Sequence, residues 1–165
     1  LSPGSLGARR DLAPNNERRS EMGLFKRRPD PLTIAMSIVD QFRSGDPGAA
    51  QRGIDMIESV TPGDVLSGLV SVGQMLSSHW KPEQVERIRE EFAGAAGMPA
   101  VRQAVKAGGP LLLVNPDANA ATQAILGALQ EIQDNKAEVI NLVLVEMASA
   151  VARIFNALDI SLEWK

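Results

Sequence analysis

The sequence predicts an all-α fold: a single-domain bundle of six or seven helices behind a disordered basic N-terminal arm. Two observations carry this. Four times a capping residue stands directly before proline, at Asp30-Pro31, Asp46-Pro47, Thr61-Pro62 and Asn115-Pro116. An Asp, Thr or Asn side chain at the N-cap accepts a hydrogen bond from an orphan backbone N–H, and proline at the first helical position lacks only an N–H that would have no partner. Each pair is then followed by apolar residues at helical spacing. The boundaries that result are residues 1–29 for the arm and 30–165 for the helical domain.

After the Asp30 cap, Ala35, Ile38, Val39 and Phe42 share one face, and Ser44-Gly45 ends the helix. A second helix is expected from Pro47, with Ala50, Ile54, Ile57 and Val60 inward and Arg52, Asp55 and Glu58 outward. Thr61-Pro62-Gly63-Asp64 opens a third, with Asp64 at the third helical position as a variant of the capping box. Its Val65, Leu66, Leu69, Val72, Met75 and Leu76 mark it as central to the core. Lys81-Pro82 opens a charged surface helix with one stripe of Val85, Ile88, Phe92 and Ala95, and Glu83 stands four residues before Arg87 in the favourable order for an ion pair.

Met98-Pro99 and Gly108-Gly109 bracket a short helix, Ala100 to Ala107. Leu111 to Val114 is too short to classify by period and reads as an extended piece or a buried connector. From Pro116, Ala121, Ile125, Leu129 and Ile132 face inward up to Asp134-Asn135. Val60-Thr61-Pro62 and Val114-Asn115-Pro116 then look like the openings of two related hairpins. Lys136 to about Leu158 is the most apolar segment, relieved by Glu138, Asn141, Glu146, Ser149, Arg153 and Asn156 on a narrow stripe. A charge at the centre of a membrane span costs about 2.5 to 3.5 kcal/mol, so this stripe favours a helix wrapped by others over a transmembrane one.

Charge divides the chain. Residues 1–30 hold seven Arg or Lys against four acids, a net +3, while residues 31–165 carry a net −6. The arm lacks apolar periodicity and is rich in Gly, Pro, Asn, Ser and Arg, so it cannot bury enough surface to offset the entropy of ordering. Met22-Gly23-Leu24-Phe25-Lys26-Arg27-Arg28 within it reads as an alternative start, with the residues before it a leader. The chain has no cysteine, which excludes a disulfide framework, a thiolate metal site and a thiol nucleophile and fits a reducing, cytoplasmic setting.

Chemistry-bearing residues are scarce. There is one histidine and no tyrosine. Ser77, Ser78 and His79 are neighbours in sequence, but such neighbours do not share a helix face. Glu83, Glu86 and Glu90 share one side with Arg87 among them, which reads as a solvated face before it reads as a cation site. The glycine pairs lack the strand–turn–helix setting of a phosphate loop, so no cofactor is expected. The expectation is therefore a non-catalytic interaction or assembly protein that binds a protein partner, or a second copy of itself, through an apolar helical face.

The competing class places function in the arm. Arg18, Arg19, Lys26, Arg27 and Arg28 are its candidate contacts to nucleic acid, and Leu24-Phe25 beside three cations offers a weak contact to an anionic membrane surface, each cation contributing about 1 kcal/mol. Trp80 and Trp164, at the ends of apolar helices, are read first as rings that close the core and second as binding residues.

Overall fold

The structure, a computed structural model, describes residues 29–160. The expectations placed on residues 1–28 and on 161–165, disorder of the arm among them, fall outside the described residues. Within 29–160 the chain forms seven helices of ten residues or more, α1 (Pro31–Arg43), α2 (Ala49–Glu58), α3 (Pro62–Leu76), α4 (Pro82–Ala93), α5 (Pro99–Gly108), α7 (Ala118–Ala128) and α8 (Lys136–Ala157), with a four-residue α6 (Pro110–Leu113) and a 3-10 turn at Ser77–His79. The described residues contain no strand.

Two of the four cap-proline pairs act as read. Asp30 Oδ1 accepts from the Thr33 N–H at 3.0 Å, and Thr61 Oγ1 accepts from the Asp64 N–H at 3.3 Å. The Thr33 backbone and side-chain hydrogen bonds hold the Asp30 carboxyl below its ordinary pKa. The other two pairs do not cap. Asp46 closes a turn, its C=O accepting from Ala49 N–H at 3.1 Å, and Gly48 at φ 81° breaks the helical path, so α2 begins at Ala49. One consequence is a changed inward line: Ala49, Gly53 and Ile57 are buried, and Ala50 is exposed. At Asn115-Pro116, the Asn115 and Asp117 N–H groups bond back to Pro110 and Leu111 to finish α6, and Asp117 then caps α7 through Ala120 N–H at 3.0 Å. The likeness between the two proposed hairpin openings ends there.

Leu111 to Val114, which the sequence left open, is a helical connector: α6 takes it as far as Leu113, and Leu112 and Leu113 are fully buried. The α7 helix stops at Ala128, short of Ile132. Met75, expected inward, lies 45 % exposed at the end of α3.

Core packing centres on α1, α3 and α8. The α1–α3 crossing is close because Gly68 has no side chain; a Cβ there would overlap the Pro31 carbonyl oxygen and the Ala35 side chain. Gly73 plays the same part against α6, where a Cβ would overlap the Leu112 carbonyl. On its other flanks the bundle is organised by α8, which packs on α1, α2, α3, α4 and α5. Its Val143, Met147, Ala148, Ala150, Val151, Ile154 and Phe155 are all fully buried. No described helix is long and apolar enough to cross a membrane.

The polar stripe of α8 ties other elements down. Glu146 accepts from the Ala96 N–H at 3.2 Å, Asn156 Oδ1 accepts from Arg43 Nε at 3.0 Å, and Arg153 Nε donates to Glu91 Oε1 at 3.0 Å. Arg43 also stands 5.5 Å from the centre of the Phe155 ring, a cation–π distance.

Candidate functional site

An apolar cleft opens where α3, α7 and α8 meet, lined in part by core residues with the exposed Leu126 beside them. The N-terminal turns of α3 supply Pro62 and Leu66, α7 supplies Ile125 and Leu126, and α8 supplies Ile140 and Leu144 to a cleft of about 130 Å³. Its wall is almost wholly hydrocarbon. Thr122 lines it as well, and its hydroxyl donates to the Ala118 carbonyl at 2.8 Å, so the donor is already used within α7. Gly63 borders the cleft, and a Cβ there would meet nothing within 4 Å. Leu126 stands at the lip, 39 % exposed.

Local sequence explains the opening. Thr61 and Pro62 fix where α3 starts, and the glycine that follows leaves the first turn without bulk. On α7, Ala121, Ile125 and Leu129 turn to the core, which leaves Leu126, one position on from Ile125, at the edge of that face. The sequence reading did not single out this cleft. Its signal was the apolar Leu126 beside an inward face that was already complete.

The residues singled out from sequence are not brought together there. Arg18, Arg19, Lys26, Arg27, Arg28 and Trp164 lie outside the described residues. Trp80 is half-buried after the 3-10 turn; its Nε1–H donates to the Leu113 carbonyl at 2.8 Å and its ring packs against the core. That bond joins the end of α3 to α6. His79 and Ser78 are exposed beside it. Glu83, Glu86 and Glu90 are exposed along α4, and among the described residues no group of three or more His, Asp or Glu side chains is arranged to hold a metal ion.

Arg87 turns to Glu91 at 3.1 Å, whereas the sequence had offered Glu83 as its partner. Arg153 reaches the same carboxylate from α8, so Glu91 is the meeting point of two guanidinium groups. Burial alone would raise the Glu91 pKa; the hydrogen bonds from Arg153 and Arg87 together outweigh it and hold the carboxyl below its ordinary 4.5. A carboxylate whose folded pKa is depressed adds stability above its unfolded pKa, and that contribution is lost as the pH falls through the folded value. Glu91→Gln should therefore lower stability near neutral pH by about 1 kcal/mol or less, since both arginines are well solvated. The gap in melting temperature between variant and parent should close as the pH drops below 4.5. A gap that stays constant with pH would show that the pair contributes by packing alone.

Compared with protein-family models, with curated proteins and with solved structures, the chain matches none.

Proposed function

We propose that the chain is a non-catalytic helical interaction protein that receives one large apolar side chain of an amphipathic partner helix in the cleft between α3, α7 and α8. The carrying observation is the cleft itself: a hydrocarbon-walled opening of about 130 Å³ with Leu126 exposed at its lip. A dry apolar cavity of about 150 Å³ takes a benzene-sized guest, so this one suits a single Leu, Met or Phe side chain. Helix-in-groove binding uses that kind of anchor, one apolar knob in a pocket with further contacts along the same face. The residue types agree, with one histidine and neither cysteine nor tyrosine. The lack of cysteine also supports a reducing compartment such as the cytoplasm.

The test compares parent protein, Leu126→Lys and Leu142→Lys as baits in native cell extract. Both leucines are exposed, but only Leu126 lines the cleft. A partner that binds through the cleft should be retained by the parent and by Leu142→Lys, and its affinity should fall about tenfold or more with Leu126→Lys. If the two variants retain the same proteins equally, the cleft is not the binding surface. Sedimentation over a concentration series identifies the case in which the partner is a second copy.

A further inference from the structure

The outer face of α7 bears on which partner the cleft accepts. Among the described helices of ten residues or more, α7 alone has no charged side chain, although residues 31–165 carry a net −6. The nearest charges along the chain, Asp117 and Glu131, lie beyond its two ends. Asn119, Gln123, Leu126 and Gly127 form its exposed stripe, at the spacing of one helix face. Gly127 is the unexpected member, because glycine is among the poorest helix formers. Its backbone is helical, outside the left-handed region that Gly48 and Gly97 occupy. A Cβ on it would meet nothing within 4 Å. Neither backbone conformation nor packing among the described residues calls for glycine there, whereas a close approach from outside would.

We infer that the cleft's occupant is a second copy of this chain, with α7 crossing its counterpart about a two-fold axis near Gly127 and each Leu126 seated in the other copy's cleft. This rests on the cleft being the binding surface, as proposed above, and names its partner. A two-fold contact uses one patch twice, so protrusion and socket must stand side by side. Leu126 joins the two: it is 39 % exposed and it also lines the opening of about 130 Å³. The patch must match itself electrically as well. Near a two-fold axis a charged side chain meets its like, whereas the amides of Asn119 and Gln123 each carry donor and acceptor and can pair with their own kind. Two bodies of net −6 repel one another, and the uncharged α7 is a face on which that repulsion is small. Gly127 then lets the two helices close without a side chain between them, since the distance between helix axes is set by the side chains at the contact.

The experiment is sedimentation equilibrium on the full chain over a concentration series, comparing the parent with Leu142→Lys, Gly127→Glu and Gly127→Lys, the last two alone and mixed in equal amounts. The parent and Leu142→Lys should associate to dimers. Gly127→Glu and Gly127→Lys should each raise the dissociation constant about tenfold or more, and their mixture should recover the dimer because opposite charges then meet at the axis. All variants should keep the helical circular dichroism of the parent, as position 127 faces open space. A parent that is monomeric at every concentration would overturn the inference. So would a dimer that Gly127→Glu leaves intact, or a mixture that stays monomeric, since residue 127 would then not face its copy. The cleft itself is judged separately: a monomeric parent that loses a different protein from extract on Leu126→Lys sustains the cleft and removes only the second copy. A dimer and an extract profile that both ignore Leu126→Lys would remove the two together.

Discussion

Gly73→Ala is expected to destabilise the protein by about 3 kcal/mol or more, while Gly63→Ala in the same helix stabilises it by roughly 0.5 kcal/mol. Both glycines lie in α3, and in both cases alanine is the better helix former, so propensity alone predicts a gain at each site. The surroundings reverse the sign at one of them. A Cβ on Gly73 would overlap the Leu112 carbonyl and press on Leu113 Cα, whereas a Cβ on Gly63 meets open space. A backbone carbonyl in a buried turn cannot swing aside as a side chain can. The overlap has to be relieved by parting α3 from α6, which uncovers Leu112 and Leu113 and strains the Trp80 bond to Leu113. With a urea m-value of about 2 kcal/mol/M, the midpoint should fall by about 1.5 M for Gly73→Ala and rise slightly for Gly63→Ala. Equal midpoints for the two variants would mean that α6 does not bear on Gly73.

Phe92→Ala should cost about 3–5 kcal/mol, the range for deleting a fully buried phenylalanine. Within α4 only Ile88 and Phe92 are buried, and the rest of the helix is dominated by charged residues. The Phe92 ring lies against Gly109, at the junction of α5 and α6, so closely that a Cβ on that glycine would overlap it. The Phe92 ring and Ile88 therefore anchor α4 to its neighbours, with the Glu91–Arg153 pair as a weaker tie. Hydrogen exchange should show this as a local event. In Phe92→Ala the amides of residues 82–93 should lose protection through opening of α4 alone, ahead of those in α3 and α8. Uniform loss of protection across all helices would place α4 within one cooperative unit with the rest.

The all-helical class, α1, α4, α5 and α8 were legible in the sequence because local signals and packing agreed there. Asp30 and Thr61 cap as their positions indicate, and Ile88 and Phe92 point inward as their spacing requires. Disagreement arose where the end of one element consumed the hydrogen-bonding groups needed to start the next. Asn115 stands where a cap is expected, yet the Asp117 N–H that its side chain would accept from is committed to the Leu111 carbonyl. Asp46 was misread for a similar reason: Gly48 turns the chain before the helix can begin. The three-helix cleft was not legible because it depends on how closely α3, α7 and α8 approach one another, and that is settled between helices distant in sequence. Leu126 and Ile140 look alike in sequence to their buried neighbours Ile125 and Val139.

Because α8 is the surface on which α1 to α5 converge, the order of synthesis works against early completion of the fold. On the ribosome α1, α2 and α3 emerge first and can pair with one another, but the faces they turn toward α8 stay bare until residue 157 has been made. At about 5–20 residues per second, the stretch from the end of α7 to the end of α8 takes roughly 1.5–6 s. Throughout that interval the nascent chain displays the hydrocarbon that Met147, Val151 and Phe155 later cover, and it must be shielded by a chaperone or by its own slow collapse. Stalling just before α8 should therefore yield an aggregation-prone, protease-sensitive chain, and emergence of α8 should be the step at which the bundle closes.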